Sequence, residues 1–465
     1  LSNTNNPVTS YDPGSPVNIQ SAYAFGTFSW KNAVFLDITG RNDWSSTLPA
    51  SSRSYFYPSA GLSAIISDLV SLPSFFSFAK LRASWAKVGS SPAPFMLDRT
   101  ASFSSGGTNG FLAVGDILPN TQLKPEQTKS IETGLDVRFL NGRLGLDLTY
   151  FKTNTINQLF TVALPVGSGA SSFFTNGGNI QNKGIELLLN TTPVHTPQFK
   201  WDFDINFASV KNSVISISDE RPKVVIGNNS FVADYVIQQG LDFGDMFGRG
   251  LMKDDQGRVI VGSNGVPLVT PSNSFNVGSF TPDWKGGISS SFSYKNFTLS
   301  FVIDHNQGGK VVSFTKANLE YEGATANTLQ GREGGLIFGE NIFPEYKAVL
   351  ADGTPNNIPV NAETLWQTLS NPSLPVAELA TVDATNTRFR ELVLGYTMPK
   401  TFTDRLKLAK VSVALVGRNL AFIYKKYRGL DPEILTGTST ALEGFSSFPP
   451  PTTRQWGINL RIDFK

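Results

Sequence analysis

The chain has two histidines, His195 and His305, and neither stands in an HExxH or comparable zinc spacing. It has no cysteine, which excludes a thiolate nucleophile, a disulfide framework and a sulfur-ligated metal. No Gly-x-Ser-x-Gly elbow is present, and Gly308-Gly309-Lys310 lacks the spacing and the trailing Ser or Thr of a phosphate loop. Asp254-Asp255-Gln256-Gly257 gathers the oxygens a hard cation wants, but without the EF-hand spacing or its closing Glu it reads as a polar turn. Glu320, Glu322, Glu333 and Glu340 read as solvated loop charges, with cation or substrate binding as the alternative. No catalytic, cofactor or metal constellation emerges, and the chain is not expected to be an enzyme.

A different set of charged residues is ordered by spacing. Glu132, Asp136, Arg138, Asp147, Asp202 and Asp204 each sit one residue away from an apolar side chain, as do Arg461 and Asp463 near the end. Within Ile131–Phe139 the odd positions are apolar or Thr, while most even ones are charged; Leu144, Leu146, Leu148 and Tyr150 oppose Gly145, Asp147 and Thr149. Trp201, Phe203, Ile205 and Phe207 oppose Asp202, Asp204 and Asn206, and the last strand alternates from Trp456 to Phe464. Period two places each set on one face of a strand. The charges therefore share a face, and the expectation for the first six is a wet inner wall that contacts substrate or hydrates a passage.

About thirteen such strands can be read along the chain. The first four fall near 19–30, 32–41, 55–66 and 77–89, and Asn141-Gly142 is a strong hairpin turn between two later ones. Composition agrees: 35 Phe, 12 Tyr, 7 Trp, 42 Gly and 27 Pro against 4 Met favour strands and turns over helices. A net charge of +2 offers no electrostatic case for nucleic acid. No run of 18 apolar residues exists to form a transmembrane helix, and Leu1-Ser2-Asn3-Thr4-Asn5-Asn6 is too polar for a signal peptide.

Connections alternate in length. Short ones fall near 30–32, 67–76, 141–142, 195–198, 295–296 and 400–408; long ones near 42–54, 90–126, 161–177, 218–280, 308–385 and 424–451. A soluble sandwich or propeller with one wet face would explain the alternation of side chains but not this two-sided loop asymmetry. An all-β transmembrane antiparallel barrel explains both, with short periplasmic turns and long outer loops. Trp30, Trp201, Tyr294, Trp456 and Phe464 lie at strand ends, where interfacial aromatic girdles belong. Phe173, Phe174, Tyr321 and Phe343 fall in outer loops, where they would stack on sugar rings or pack on a partner.

Several blocks resemble, in order along nearly the whole chain, the SusC/RagA-type TonB-dependent outer-membrane transporters of Bacteroidetes. They are Gly40-Arg41-Asn42-Asp43-Trp44-Ser45-Ser46-Thr47-Leu48-Pro49, Tyr55-Phe56-Tyr57-Pro58-Ser59 and Leu81-Arg82-Ala83-Ser84-Trp85-Ala86-Lys87-Val88-Gly89. Leu123-Lys124-Pro125-Glu126-Gln127-Thr128, Glu132-Thr133-Gly134-Leu135-Asp136 and Asn182-Lys183-Gly184-Ile185-Glu186 follow. Pro282-Asp283-Trp284-Lys285-Gly286-Gly287, Gly417-Arg418-Asn419-Leu420 and Tyr427-Arg428-Gly429-Leu430-Asp431-Pro432-Glu433 complete the series. The resemblance implies a barrel of about 22 strands, of which residues 1–465 would be the C-terminal portion. The family's signal sequence, carboxypeptidase-like extension, TonB-binding segment, plug and first strands have no counterpart in these residues.

The resemblance also implies a function: import of oligosaccharides or oligopeptides across the outer membrane of a Gram-negative cell, energised through TonB. A SusD-like lipoprotein would cap the outer face, in a possible dimer of transporter–lipoprotein pairs, with lipid around the wall and no cofactor. Phe464 would carry the C-terminal aromatic signal for barrel assembly. A passive diffusion channel complete at about fourteen strands is the alternative, and a soluble carbohydrate-binding or glycan-degrading β-protein, which would need a suitably spaced carboxylate pair, is the more distant one.

Overall fold

The structure is a computed structural model that describes residues 17–104, 110–217, 223–229, 232–429, 431–433 and 443–465. Leu1–Asn6 and Leu430 lie outside the described residues, as do parts of the outer loops. Among the described residues thirteen long strands form one antiparallel meander, each paired with its neighbour in sequence. They are β1 (Ile19–Trp30), β2 (Val34–Ser45), β3 (Ser54–Ile65), β4 (Phe76–Ser90), β5 (Glu126–Phe139), β6 (Leu144–Ala163) and β7 (Ser172–His195). Then come β8 (Phe199–Ser216), β9 (Pro282–Tyr294), β10 (Phe297–Gly308), β11 (Asn386–Thr397), β12 (Leu408–Lys425) and β13 (Gln455–Phe464). Among the described residues no helix is long and apolar enough to cross a membrane, which says nothing of crossing by strands.

Register turns the alternation of single strands into two continuous surfaces. Val137, Leu146, Leu189, Ile205, Ile288 and Ile303 are successive cross-strand partners from β5 to β10, so one face carries an apolar row around the wall. One residue along, Lys80, Asp136, Asp147, Leu188, Asn206, Gly287, Asp304 and Arg388 are successive partners from β4 to β11 on the other face. A one-residue slip of any strand would exchange the two sets, so the burial pattern itself fixes the register.

The turns at one rim are short. Asn141 and Gly142 adopt positive φ between β5 and β6, as the Asn-Gly signal requires, and Lys31 with Asn32 does the same between β1 and β2. At this rim rings gather: Phe75, Phe76 and Phe139 in one group, Phe297 and Tyr396 in another with centroids 4.7 Å apart, and Trp201 stacked on Phe292 at 5.6 Å. Trp30, Tyr294 and Phe464 end their strands here, while Trp456 begins β13 at the opposite rim. Eight residue steps run from Trp456 to Phe464, about 26 Å of strand; at the roughly 35–45° tilt of such walls this spans about 20 Å of the roughly 25 Å apolar band.

At the other rim, two expected loops are shorter than the sequence suggested. The 161–177 connection reduces to 164–171 and the 42–54 connection to 46–53, because the flanking strands continue. β6 spans 20 residues and β7 24, well beyond the 9–11 needed to cross a bilayer. Their outer halves leave the apolar band, so the alternation that marks a strand fades while the hydrogen bonding persists.

The long connections 217–281 and 309–385 fold together. Leu251, Val259, Val261, Leu336, Phe338, Leu365, Trp366 and Leu369 form a buried core drawn from both. A second core joins Val232, Met246, Val277, Val312, Ala377 and Phe445, adding the 426–454 connection. A four-stranded sheet (Lys223–Asn229, Ala233–Gln238, Asp245–Gly248 and Phe275–Ser279) and the helices Phe314–Tyr321 and Ala362–Leu369 frame these cores. The Ala362–Leu369 helix starts where Asn361 accepts the Thr364 N–H and buries Leu365, Trp366 and Leu369 on one stripe.

Candidate functional site

The polar face of the wall is the candidate site, and it brings the six sequence-predicted residues onto one surface. Arg82 on β4 reaches across β5 to Asp147 on β6, donating through Nη2 to Oδ1 at 2.6 Å and through Nη1 to Oδ2 at 2.9 Å. It passes over Gly134, where an added Cβ would lie 2.4 Å from Arg82 Nε. The Gly in the Glu132–Asp136 block is thus the gap through which this bidentate pair forms. Asp136, directly opposite Asp147, has Arg138 Nη2 at 3.6 Å. Asp202 is held by Lys200 at 2.8 Å and by the Thr192 hydroxyl at 2.8 Å. Asp204 accepts from Asn190 Nδ2 at 2.8 Å and from Ser289 Oγ at 3.1 Å. Glu132 is exposed, with no ion-pair partner among the described residues. Five of the six are tied to neighbours on the wall; one carboxylate stands free.

At the outer mouth lies a cluster that the sequence did not single out. Arg390 donates to Asp304 and, at 2.5 Å, to Glu433. Arg388, 3 % exposed, donates to Glu433 at 2.8 Å and to Thr452 at 2.7 Å, lies 3.3 Å from Asp431, and stacks over the Phe422 ring at 4.4 Å. The Tyr427–Glu433 block therefore fastens the last outer loop to the wall. Its acids were visible in the sequence, but their cations lie 40 or more residues upstream with no motif of their own. Beside it, Asp383 accepts from Lys426 at 2.8 Å, Lys310 at 3.1 Å and the Thr385 hydroxyl at 2.6 Å. Burial alone would raise its pKa, and these donors outweigh burial and hold the carboxyl well below the usual range.

The other blocks are likewise joints. Asp43 is gripped by Arg41 at 2.8 Å and by the Tyr57 hydroxyl, while Leu48, Tyr55 and Leu123 make a small core that pins the 91–125 connection to the β2–β3 turn. Lys124 N–H donates to Asn176 Oδ1 at 2.7 Å, and Glu126 accepts the Leu159 N–H at 2.6 Å. Gly184 lets β7 lie against its neighbours: a Cβ there would meet the Ser209 carbonyl at 2.4 Å and the Phe151 ring at 2.9 Å.

Some sequence expectations hold and others do not. His305 is packed, its ring stacked on Trp284 at 4.6 Å with Thr387 Oγ1 2.8 Å from Nδ1; His195 is exposed in the β7–β8 turn. Asp254 caps its own turn, accepting the Gln256 and Arg258 N–H groups and pairing with the Arg258 guanidinium at 2.7 Å. Glu320 is buried against Lys316 at 2.8 Å rather than solvated. Phe343 packs against Phe338, Tyr346 and Trp366 inside the outer core, and Phe174 packs beside Leu123, so neither is offered to a sugar ring. Among the described residues no cluster of His, Asp or Glu could hold a metal ion.

A sheet greasy on one side and charged on the other, with tight turns at one rim and folded loops at the other, defines the wall of an outer-membrane β-barrel. The chain belongs to the TonB dependent receptor-like, beta-barrel family, whose model matches residues 1–325. It is 27 % identical over 481 residues to TonB-dependent receptor P26 of Formosa agariphila, covering 95 % of this chain and 46 % of that protein. It is 25 % identical over 363 residues to TonB-dependent receptor SusC of Bacteroides thetaiotaomicron, covering 74 % of this chain and 32 % of SusC. The fold matches the structure of the RagAB peptide transporter with TM-score 0.72 at 19 % identity, over 96 % of this chain and 48 % of the other. The chain thus spans less than half the length of these relatives.

Proposed function

We propose that this chain forms the C-terminal barrel wall and outer loops of a TonB-dependent importer for large nutrients, oligosaccharides or oligopeptides, in the outer membrane of a Gram-negative, Bacteroidetes-like cell. The observation that carries the proposal is the inner face from β4 to β11, which bears Lys80, Asp136, Asp147, Asp304 and Arg388 along one cross-strand row and is capped at one rim by loops with hydrophobic cores of their own. Such a wall suits cargo that moves through water past fixed charges, while the folded rim suits docking of a second protein. SusC and the RagAB peptide transporter are the relatives that favour a SusD-like lipoprotein on that rim. TonB would couple through a region outside these residues, and lumenal Glu132, Asp136, Arg138, Asp147, Asp202 and Asp204 would line the path.

The test is uptake in the native host. Deleting the gene is expected to abolish growth on one class of oligosaccharide or peptide, and collapsing the proton gradient or deleting TonB is expected to do the same. Uptake that continues without TonB would make the protein a passive channel and sink the importer reading. Affinity purification of the full-length protein is expected to bring a surface lipoprotein with it.

A further inference from the structure

A cavity of about 630 Å³ opens where the inner faces of β8 to β11 meet the outer loops, lined by Asn206, Lys285, Asp304, Asn306, Arg390 and Glu433 among others. Its volume lies within the roughly 300–1,000 Å³ typical of small-ligand sites. Most of its charges are already paired: Arg390 with Asp304 and Glu433 inside the cavity, and Lys310 with Asp383 beyond its lining at 3.1 Å. Two are not. Lys285, on the inner face of β9, and Glu443, on the loop that follows β12, both line the cavity, and neither has an ion-pair partner among the described residues. Asn206 has no side-chain hydrogen bond among the described residues, and the buried Asn386 Oδ1 lacks a donor there.

These features discriminate between cargo classes. A pyranose is gripped by an aromatic face free to lie on its C–H surface, with hydroxyls bonded around the rim. The Phe280 ring bordering this cavity is already engaged against Tyr235 at 5.6 Å, and the His305 ring stacks on Trp284 on the opposite, apolar face of the wall. What remains available is one cation, one carboxylate and carboxamides. That set complements a zwitterionic chain with amide groups between its ends.

We infer that this cavity is a subsite for a short peptide with free termini, Lys285 taking the carboxylate, Glu443 the ammonium group and Asn206 the intervening amides. The inference rests on the importer reading above and narrows its cargo to peptides. Charge-assisted hydrogen bonds of this kind are among the stronger polar contacts available to a ligand.

The experiment uses the full-length protein with its co-purifying chains in detergent and a tetrapeptide library with free termini, read by native mass spectrometry and then calorimetry on the retained peptides. Retained peptides are expected to lose at least ten-fold in affinity on C-terminal amidation or on Lys285→Ala, with the two changes together losing no more than either alone. N-terminal acetylation and Glu443→Gln are expected to behave as the same kind of pair. Failure to retain any peptide, equal binding of free and capped peptides, or an unchanged affinity in Lys285→Ala overturns the inference, as does maltotetraose binding that depends on Lys285. TonB-dependent uptake of glycans alone would overturn it while leaving the importer reading intact, whereas TonB-independent uptake would strike the importer reading itself.

Discussion

Arg82 and Gly134 show how a family block becomes a physical joint. The guanidinium donates twice to Asp147, and both side chains are 36 % exposed, so solvent screening brings the pair down to about 1 kcal/mol from the roughly 1.5–3 kcal/mol of buried charged hydrogen bonds. Removing Arg82 also leaves Asp147 facing Asp136 across the β5–β6 ladder, where like charges repel. Arg82→Met is therefore expected to lower the stability of the full-length barrel by about 1 kcal/mol, measured by urea unfolding in micelles. Arg82→Met with Asp147→Asn is expected to recover most of that loss; no recovery would mean that packing, not charge, is the cause. Gly134→Val is expected to be worse than Arg82→Met, since its side chain enters space the guanidinium occupies. At this scale the sequence displayed the acids of the inner wall, because period two fixes their face. Their partners Arg82, Lys200 and Asn190 were hidden, since pairing across strands depends on register and reach.

Among elements, the wall was legible and the rim was not. A wall strand is specified locally: its alternation, its turn residues and its end aromatics lie within a dozen residues. The outer cores are specified by contacts such as Val259–Ile260 pairing in parallel with Ala348–Val349, which no short window contains. The same non-locality holds the last loop, where Asp383 gathers Lys310 and Lys426 from two different connections. Its folded pKa lies below the ordinary carboxylate value, so its stabilisation is complete above about pH 4 and declines as pH falls from there toward the folded value. Hydrogen exchange at Lys310–Ser313 and near Lys426, corrected for the intrinsic rate, is expected to stay slow from neutral pH to about 4 and to rise below it. Asp383→Asn is expected to exchange faster at neutral pH and to show a smaller further rise. If wild type and variant lose protection together at the same pH, another group controls the loop.

For the whole molecule, the two ends of the sheet set the closing problem. Among the described residues β1 and β13 each pair on one side only, and large side chains stand open on both, Phe28 at 63 %, Trp456 at 73 % and Phe464 at 77 %. Because the meander is antiparallel and has thirteen strands, β1 and β13 run in the same direction. Direct closure would need a parallel seam, and leaving both edges unpaired in hydrocarbon would cost several kcal/mol for each bare N–H or C=O. An odd number of further strands between them restores an all-antiparallel wall with an even count. The proposed barrel of about 22 strands meets that condition with roughly nine more, and the passive channel of about fourteen meets it with one. These 465 residues hold no cysteine, so single cysteines placed in them report from known positions once any elsewhere in the full-length protein are replaced. Phe28→Cys and Ile462→Cys would report the gap between the two edges in membranes. A single intervening strand puts the edges about 10 Å apart, within reach of a short bis-maleimide, whereas roughly nine strands put them several times farther. No crosslink between the two is expected in membranes, with short-linker products forming instead from Ile462→Cys to a cysteine in an upstream strand. An efficient crosslink between residues 28 and 462 would establish the smaller barrel and favour the passive channel over the importer.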